Sequence, residues 1–325
     1  MDYFFDPHTE AAFNLAFEEV LFERLERDTL MLWRNDRAII VGCNQNTRRE
    51  INSDYVRQQN VAVVRRQTGG GAVYHDLGNL NYSFFLTDPA AAKASFADLA
   101  EPVAAALRQL GVPAECRGRN DIAVSQSKVS GCARRVSGSR TLFHGTLLFD
   151  VDLTEMTRLL TPDPEKLIDK GVASVRSRVL NLHEILPDWT MDDFILRFAA
   201  ALGKEVAARE IPCPAELAAA AESVAAARYR RHDWNFSSPI PFHFYQKRRF
   251  PGVGTIEAAF DVEHDKISRL ELTGDFFGEL PASVLAAGLE GCVLERSALL
   301  ERLAALPLER YIFGLTPADL AGLFE

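Results

Sequence analysis

Three stretches of the chain carry residue types able to do chemistry. In VAVVRRQTGGGAVYHDLGNLNYSFF, residues 61–85, an apolar run ends in Arg65-Arg66 and glycines stand at 69, 70 and 71. Glycine lets a backbone approach a ligand closely, and successive N–H groups aimed one way form a concave anion site. Two phosphate-binding loops are excluded. Tyr74 stands where a GxGxxG fingerprint needs its third glycine, and no Lys-Ser or Lys-Thr follows as a P-loop requires. A plain hairpin turn between two strands uses glycines in the same way, so the triplet alone leaves both readings open.

The second stretch, residues 117–140, holds Arg117, Arg119, Lys128, Arg134, Arg135 and Arg140 against a single acid, Asp121. That is over twice the chain's average density of bases, in a chain whose net charge is −9. A local basic patch in an acidic protein is a candidate anion site, although a solvated basic loop gives the same pattern. Lys128 stands among Ser127, Val129, Ser130 and Gly131, small neighbours that let a ligand come close. An ammonium about 4 Å from a phosphoryl charge gains about 4 kcal/mol at an effective dielectric of 20, enough to matter in attack on a phosphate. The third stretch, GVASVRSRVLNL at 171–182, puts Arg176 and Arg178 on one face if extended. A surface strand accounts for it equally.

Single residues are weaker signals. Asn120-Asp121 could hold a magnesium–nucleotide complex, since magnesium takes carboxylate and phosphate oxygens, but a lone Asp also caps or pairs with Arg. His144, before a strand, reads as structural or functional. Cys132 among bases could be an activated thiolate or a small buried thiol. No GxSxG, HExxH or kinase set occurs.

These residues need elements to hold them. Phe13, Ala16, Phe17, Val20, Leu21 and Leu25 recur at helical spacing with glutamates between, predicting an amphipathic helix that starts near Asp6-Pro7. Apolar runs at 30–33, 38–41, 61–64, 80–86, 121–124 and 141–149 read as strands, and 97–110 as a helix ended by Gly111 and Pro113. Strands and helices alternate irregularly, which predicts an α+β fold with a mixed or antiparallel sheet. An Ala-rich helix at 215–228 leads into RYRRHDWNF, and a hairpin across His264-Asp265 begins a different pattern. Two domains are expected, 1–230 and a smaller α+β unit, 234–325.

Composition bounds the rest. The 325 residues are 47% hydrophobic and 25% charged, an ordinary globular balance. Five scattered cysteines, with no CxxC, fit reduced thiols in a cytoplasmic protein better than a disulfide framework. No apolar run is long enough to span a membrane, and the net charge and lack of aromatics among the bases disfavour nucleic acid.

At these residues the chain resembles a lipoate–protein ligase of the biotin/lipoate ligase superfamily, over nearly its whole length. RRQTGGGAVYHDLGNLNYSF is similar to that family's RRxSGGGAVYHDxGNxNFSF. VGCNQN at 41–46, GRNDI, KVSG-x-A, HGTLL and GVxSVRSRVxNL match its other signatures in order, and the tail from Trp234, with its GDFF turn, resembles the small C-terminal accessory domain. The resemblance implies a mixed-sheet catalytic domain and an adenylate-forming reaction. The lipoate carboxylate attacks the α-phosphate of ATP, with Mg2+, and a lysine of an acceptor lipoyl domain then takes the lipoyl group. Acceptors would be acyltransferase subunits of 2-oxoacid dehydrogenases and the glycine-cleavage H protein, and the enzyme a monomer.

The resemblance also implies roles. Arg66 would meet the nucleotide, and Gly71, Ala72, Val73 and Tyr74 would close over adenylate and lipoyl chain. Gly70, His75, Asn79 and His144 fall on the lipoate side. Lys128 would contact both the acid and the α-phosphate as a cation and not a covalent nucleophile. Arg135 would approach the intermediate, Asn120 and Asp121 would lie near the lysine, with magnesium on Asp121, and Val175 and Arg176 belong to an adenylate-binding loop at 165–182. One departure stands out: Cys132 replaces the family's usual serine. It keeps open an ATP-independent octanoyl- or lipoyl-transferase working through a cysteine. A non-catalytic binder on the same fold is the other alternative.

Overall fold

The computed structural model describes residues 1–161, 179–236 and 241–325. Strands β1 (Asp2–Asp6), β2 (Thr29–Trp33), β3 (Ala38–Val41), β4 (Ala62–Arg65), β5 (Val73–His75) and β6 (Asn79–Leu86) come first. Strands β7 (Ala114–Arg117), β8 (Asp121–Val124), β9 (Ser127–Ser137), β10 (Arg140–Leu148) and β11 (Arg209–Glu210) follow, then β12 (Phe244–Phe250), β13 (Gly254–Glu263) and β14 (Lys266–Gly274). Eight of them make a mixed sheet in the order β11-β1-β2-β6-β10-β9-β8-β7, parallel only where β1 meets β2 and β11. The fold is α+β, as the irregular alternation of elements predicts.

Strand alternation gives this sheet two apolar faces. On one, Leu30, Leu32, Tyr82, Phe143 and Leu147 pack against helices α2 (Phe96–Gln109) and α3 (Met191–Glu205). Both helices start on a capping box, Ser95 with Asp98 and Thr190 with Asp193, which satisfies N–H groups left over in the first turn. On the other face, Met31, Trp33, Phe85 and Leu142 pack against helix α1 (Ala11–Arg24).

Helix α1 differs from expectation. Its residues from Ala11 to Phe22 are all buried, Glu18 and Glu19 included, so it is not amphipathic. The reason is tertiary: the Ala-rich segment 218–229 covers the side that would otherwise meet water. Glu19 is held there by Arg228 and by the Tyr229 hydroxyl at 2.7 Å.

The glycine triplet does not make a hairpin. β4 and β5 flank it but never pair with each other; both pair with β3, β4 in parallel and β5 antiparallel. The loop must therefore cross over β3, and this lifts it away from the small sheet.

A second core draws only on residues between Phe250 and Phe324. Its sheet, β12-β13-β14, includes the expected hairpin, with His264 and Asp265 at φ 52° and 59°, the left-handed pair of a tight turn. Residues His232–Phe236 form a short helix on the first unit: the Asn235 side chain accepts from Arg65 N–H at 2.9 Å, and Trp234 Nε1 donates to Arg65 O at 2.9 Å. Contacts between the units include ion pairs, hydrogen bonds and ring contacts, among them Phe96 and Phe277 with centroids 5.1 Å apart. Arg49 bonds Glu257 at 2.5 Å and lies over the Tyr245 ring, and Gly274 N–H donates to Asn44 O at 2.8 Å.

Candidate functional site

A cavity of about 1110 Å3 lies where the glycine loop, β8, β9, β10 and the second unit meet. Arg66, Gly70, Gly71, Ala72, Val73 and His75 line it from the loop and β5. Asn120, Asp121 and Lys128 line it from β8, β9 and the turn before them, and His144 from β10.

Lys128 reaches this cavity because of a defect in strand pairing. Asp121 pairs with Gly131 and Ile122 with Ser130, but the next residue, Ala123, pairs with Lys128. Val129 is thus an extra residue, a β-bulge. Without it, Lys128 would share a face with Ser130, which is fully buried in the core. With it, Lys128 turns to the cavity, where its Nζ lies 2.7 Å from Asp121 Oδ1.

Arg66 is buried, and neutral oxygens hold its guanidinium. It donates to Thr68 Oγ1 at 2.9 Å, Ile40 O at 3.1 Å, Gly69 O at 2.6 Å and Gly71 O at 3.0 Å. Burial pushes it down to about 10, so it remains a cation at neutral pH. It pins the loop at both ends and lends the cavity positive potential. Gly70 sits at φ 90°, a conformation only glycine adopts without strain.

Behind Arg66 runs a chain of buried hydrogen bonds. Trp33 Nε1 donates to Ser83 Oγ at 2.9 Å, and Ser83 Oγ to Glu18 Oε1 at 2.7 Å. His144 Nδ1 lies 2.8 Å from the same carboxylate oxygen, and its Nε2 lies 2.8 Å from Thr68 Oγ1. Arg66 Nε donates to the same hydroxyl, so Thr68 and His144 tie the loop cation to Glu18. His75 is different: burial, then the Arg66 charge, pushes its imidazole down to about 3, so it is neutral. Its Nδ1 meets Asn35 Nδ2 at 3.0 Å, while Nε2 and the nearby Asn81 Nδ2 are buried without a partner. Both residues line the cavity, so these are groups a ligand can satisfy.

The second unit closes the remaining side. Arg119 lines the cavity and donates to Val253 O and, at 3.1 Å, to Asp275 O. Its guanidinium lies 4.5 Å from the centre of the Phe277 ring, and Gly70 N–H donates to Phe276 O at 3.3 Å. The GDFF turn therefore sits directly on the glycine loop.

Several expected residues lie elsewhere. Tyr74 points the opposite way from Val73 and His75, as strand alternation demands, and is buried under the small sheet. Asn79 is buried at the start of β6 and donates to Asn81 Oδ1 at 2.9 Å; Asn81 is the one that lines the cavity. Arg135 lies with its guanidinium 4.7 Å from the Phe22 ring, outside the lining. Val175 and Arg176 fall outside the described residues, which resume at Val179, paired beside Lys128. Cys132 does line the cavity, but its buried side chain packs in the core cluster with the thiol 3.0 Å from the Tyr82 hydroxyl. Burial pushes that thiol up to about 11, which leaves almost no thiolate at neutral pH.

The sequence reading missed Glu18, Trp33 and Asn81, gave Arg119 only as one base of the patch, and assigned Asp275 no role. A glutamate inside an otherwise apolar helix stripe was the available signal for Glu18. Asp275 stands in the GDFF turn, a motif that carried the resemblance but pointed to no role at the cavity. As for a metal, no group of three His, Cys, Asp or Glu stands together among the described residues. Asp121 and Asp275 are carboxylates at the cavity, and Asp275 Oδ1 already accepts Thr255 N–H at 2.6 Å. Such a sparse set suits magnesium only where phosphate oxygens and water supply most positions.

The lipoyl protein ligase A/B catalytic domain family matches residues 10–203, and the bacterial lipoate protein ligase C-terminus family matches residues 240–324. A lipoate–protein ligase of Bacillus subtilis (strain 168) is 38% identical over 312 residues, 94% of each chain. The crystal structure of P. falciparum LipL1 in complex with lipoate superposes with a TM-score of 0.79 at 24% identity, over 96% of this chain and 95% of that one, a likeness of fold. A lipoate–protein ligase A bound with ATP superposes at 0.62 with 25% identity, over 73% of this chain and 99% of that one.

Proposed function

The chain belongs to the lipoyl protein ligase A/B family, and from that premise we propose that it activates lipoate with ATP and passes the lipoyl group to a lysine of an acceptor lipoyl domain. In the first step a carboxylate oxygen of lipoate attacks the α-phosphorus, the bond to the β-phosphate oxygen breaks, and pyrophosphate leaves. In the second, the acceptor amine attacks the acyl carbon of lipoyl-AMP, losing a proton, and AMP leaves.

The observation that carries the reading is the union, in one cavity, of Lys128 with its bulge-set direction and a glycine loop pinned by the buried cation Arg66. Lys128 stabilises the negative charge that builds on the α-phosphate. It acts by preorganised electrostatics, since it is already oriented before substrate arrives. Gly70, Gly71, Ala72 and Val73 shape the wall for nucleotide and acyl chain. Asn120 and Asp121 lie toward the phosphates, where Asp121 would hold magnesium, which neutralises phosphate charge. His75, Asn81 and His144 serve the acid. The acyl end of the cavity also has apolar wall from Leu15, Trp33 and Ile40.

In this proposal the catalytic unit is residues 1–230 and the accessory unit 234–325, except that the 232–236 helix packs on the first unit; the separate second core supports the division. Acyltransferase subunits of 2-oxoacid dehydrogenases and the glycine-cleavage H protein are the proposed acceptors, and the enzyme works as a cytoplasmic monomer, where ATP and acceptors are at hand. Among the described residues no helix is long and apolar enough to cross a membrane.

The test is pyrophosphate release from ATP with lipoate, octanoate and biotin in turn, without acceptor. Release with lipoate is expected. Its absence with all three acids would overturn the proposal.

A further inference from the structure

We infer that Gly131 is a positioning residue for the reaction, setting where the Lys128 ammonium lies through the space its missing side chain leaves. The inference rests on the reading of Lys128 as the charge-stabilising cation. The usual reason for glycine does not apply here, because Gly131 is not among the glycines with positive φ. Its backbone is one that any L-residue adopts, within a regular strand, opposite Asp121. Nor does neighbouring backbone forbid a side chain. A Cβ at 131 would meet Lys128 Nζ at 2.5 Å and Lys128 Cε at 2.8 Å, and the next atom, Asp121 Oδ1, only at 3.9 Å. The space beside Gly131 is occupied by the end of the lysine and by nothing else that a methyl would strike.

Two devices thus place one cation. The bulge at Val129 brings Lys128 onto the face of Asp121 and Gly131, three residues apart where a regular strand would separate them. The glycine then lets the side chain lie flat across β9 so that Nζ reaches Asp121 at 2.7 Å. A methyl group at 131 must push Nζ away by about 1 Å to restore an ordinary contact, and a lysine tip moves at little cost to the fold. A misplacement of about 1 Å in a reacting constellation costs about a hundredfold in rate.

The test compares Gly131→Ala, Lys128→Ala and the double variant, all in the full-length protein, by pyrophosphate release from ATP and lipoate. Gly131→Ala is expected to lower kcat about a hundredfold with KM for ATP little changed and with the wild-type melting temperature. In the Lys128→Ala background the same substitution should change nothing further, because its effect passes through the missing ammonium. A second reading comes from the amine itself: acetylation of Lys128 by acetic anhydride, followed by peptide mass mapping, should be severalfold faster in Gly131→Ala. A wild-type kcat for Gly131→Ala with unchanged acetylation overturns the inference, and so does an equal loss in both backgrounds. Failure of the underlying reading looks different, since Lys128→Ala would then itself release pyrophosphate at the wild-type rate.

Discussion

Replacing Lys128 with alanine separates catalysis from stability, and both magnitudes follow from its surroundings. The Lys128–Asp121 pair is partly solvated, with 34% and 38% of the two side chains exposed. Pairs of this kind contribute about 0–1 kcal/mol, and the Asp121 carboxylate left behind can be rehydrated. The fold should therefore lose no more than about 1 kcal/mol, a few degrees of melting temperature. The reaction loses far more. A unit charge about 4 Å from the developing phosphoryl charge supplies about 4 kcal/mol at an effective dielectric of 20, and each 1.36 kcal/mol is about tenfold in rate. Lys128→Ala is expected to slow pyrophosphate release about a thousandfold while the thermal transition barely moves. Release within about tenfold of wild type, from a variant with an intact transition, would refute the electrostatic role.

Other expectations are narrower. Cys132→Ser should keep ligation within severalfold of wild type and yield no hydroxylamine-labile acyl-enzyme; loss of activity together with a trapped acyl thioester in the wild type would restore the transferase mechanism. His75 is held neutral, near 3 against about 6.5 unfolded, so its contribution to stability is complete above pH 6.5 and falls as the unfolded chain takes up a proton below it. Between pH 6.5 and 5 that is about 2 kcal/mol; His75→Gln should flatten this acid loss in urea titrations, and a parallel loss in both proteins would count against it. Phe277→Ala removes a ring that is 3% exposed and rests on Gly70 and Arg119. We expect a lower melting temperature and a raised KM for ATP, and an unchanged KM would show that the loop holds its shape without the second unit.

How much of this was legible in the sequence depended on the range of the interaction that decides each feature. Helix α2, strands β3 and β8 and the hairpin at 264–265 follow from local spacing, capping residues and turn chemistry, and they stand where those signals put them. Strands β1, β5, β7, β9, β11 and β12 did not register. β11 is two residues long and β12 is largely exposed, so neither has an apolar pattern, and pairing partners distant in sequence impose their conformation.

The candidate site divides along the same line. The residue types were already in the sequence: a glycine triplet behind two arginines, one lysine in a basic segment, and histidines and acids at motif spacing. Their chemistry belongs to the side chains, and so it survives without coordinates. Direction was decided only in three dimensions. One extra residue at Val129 turns Lys128 from core to cavity, while plain alternation turns Tyr74 away. Of two adjacent arginines, burial against different partners makes Arg65 a tie to the 232–236 helix and Arg66 the clamp of the glycine loop. Glu18, Arg119 and Asp275 joined the site through contacts that span 126, 134 and 156 positions along the chain, and no local pattern encodes such pairings. The sequence by itself determined which groups were available to bind an anion and activate an acid. Which of them face one another was decided by packing, because a side chain's direction depends on the register and burial of its whole strand.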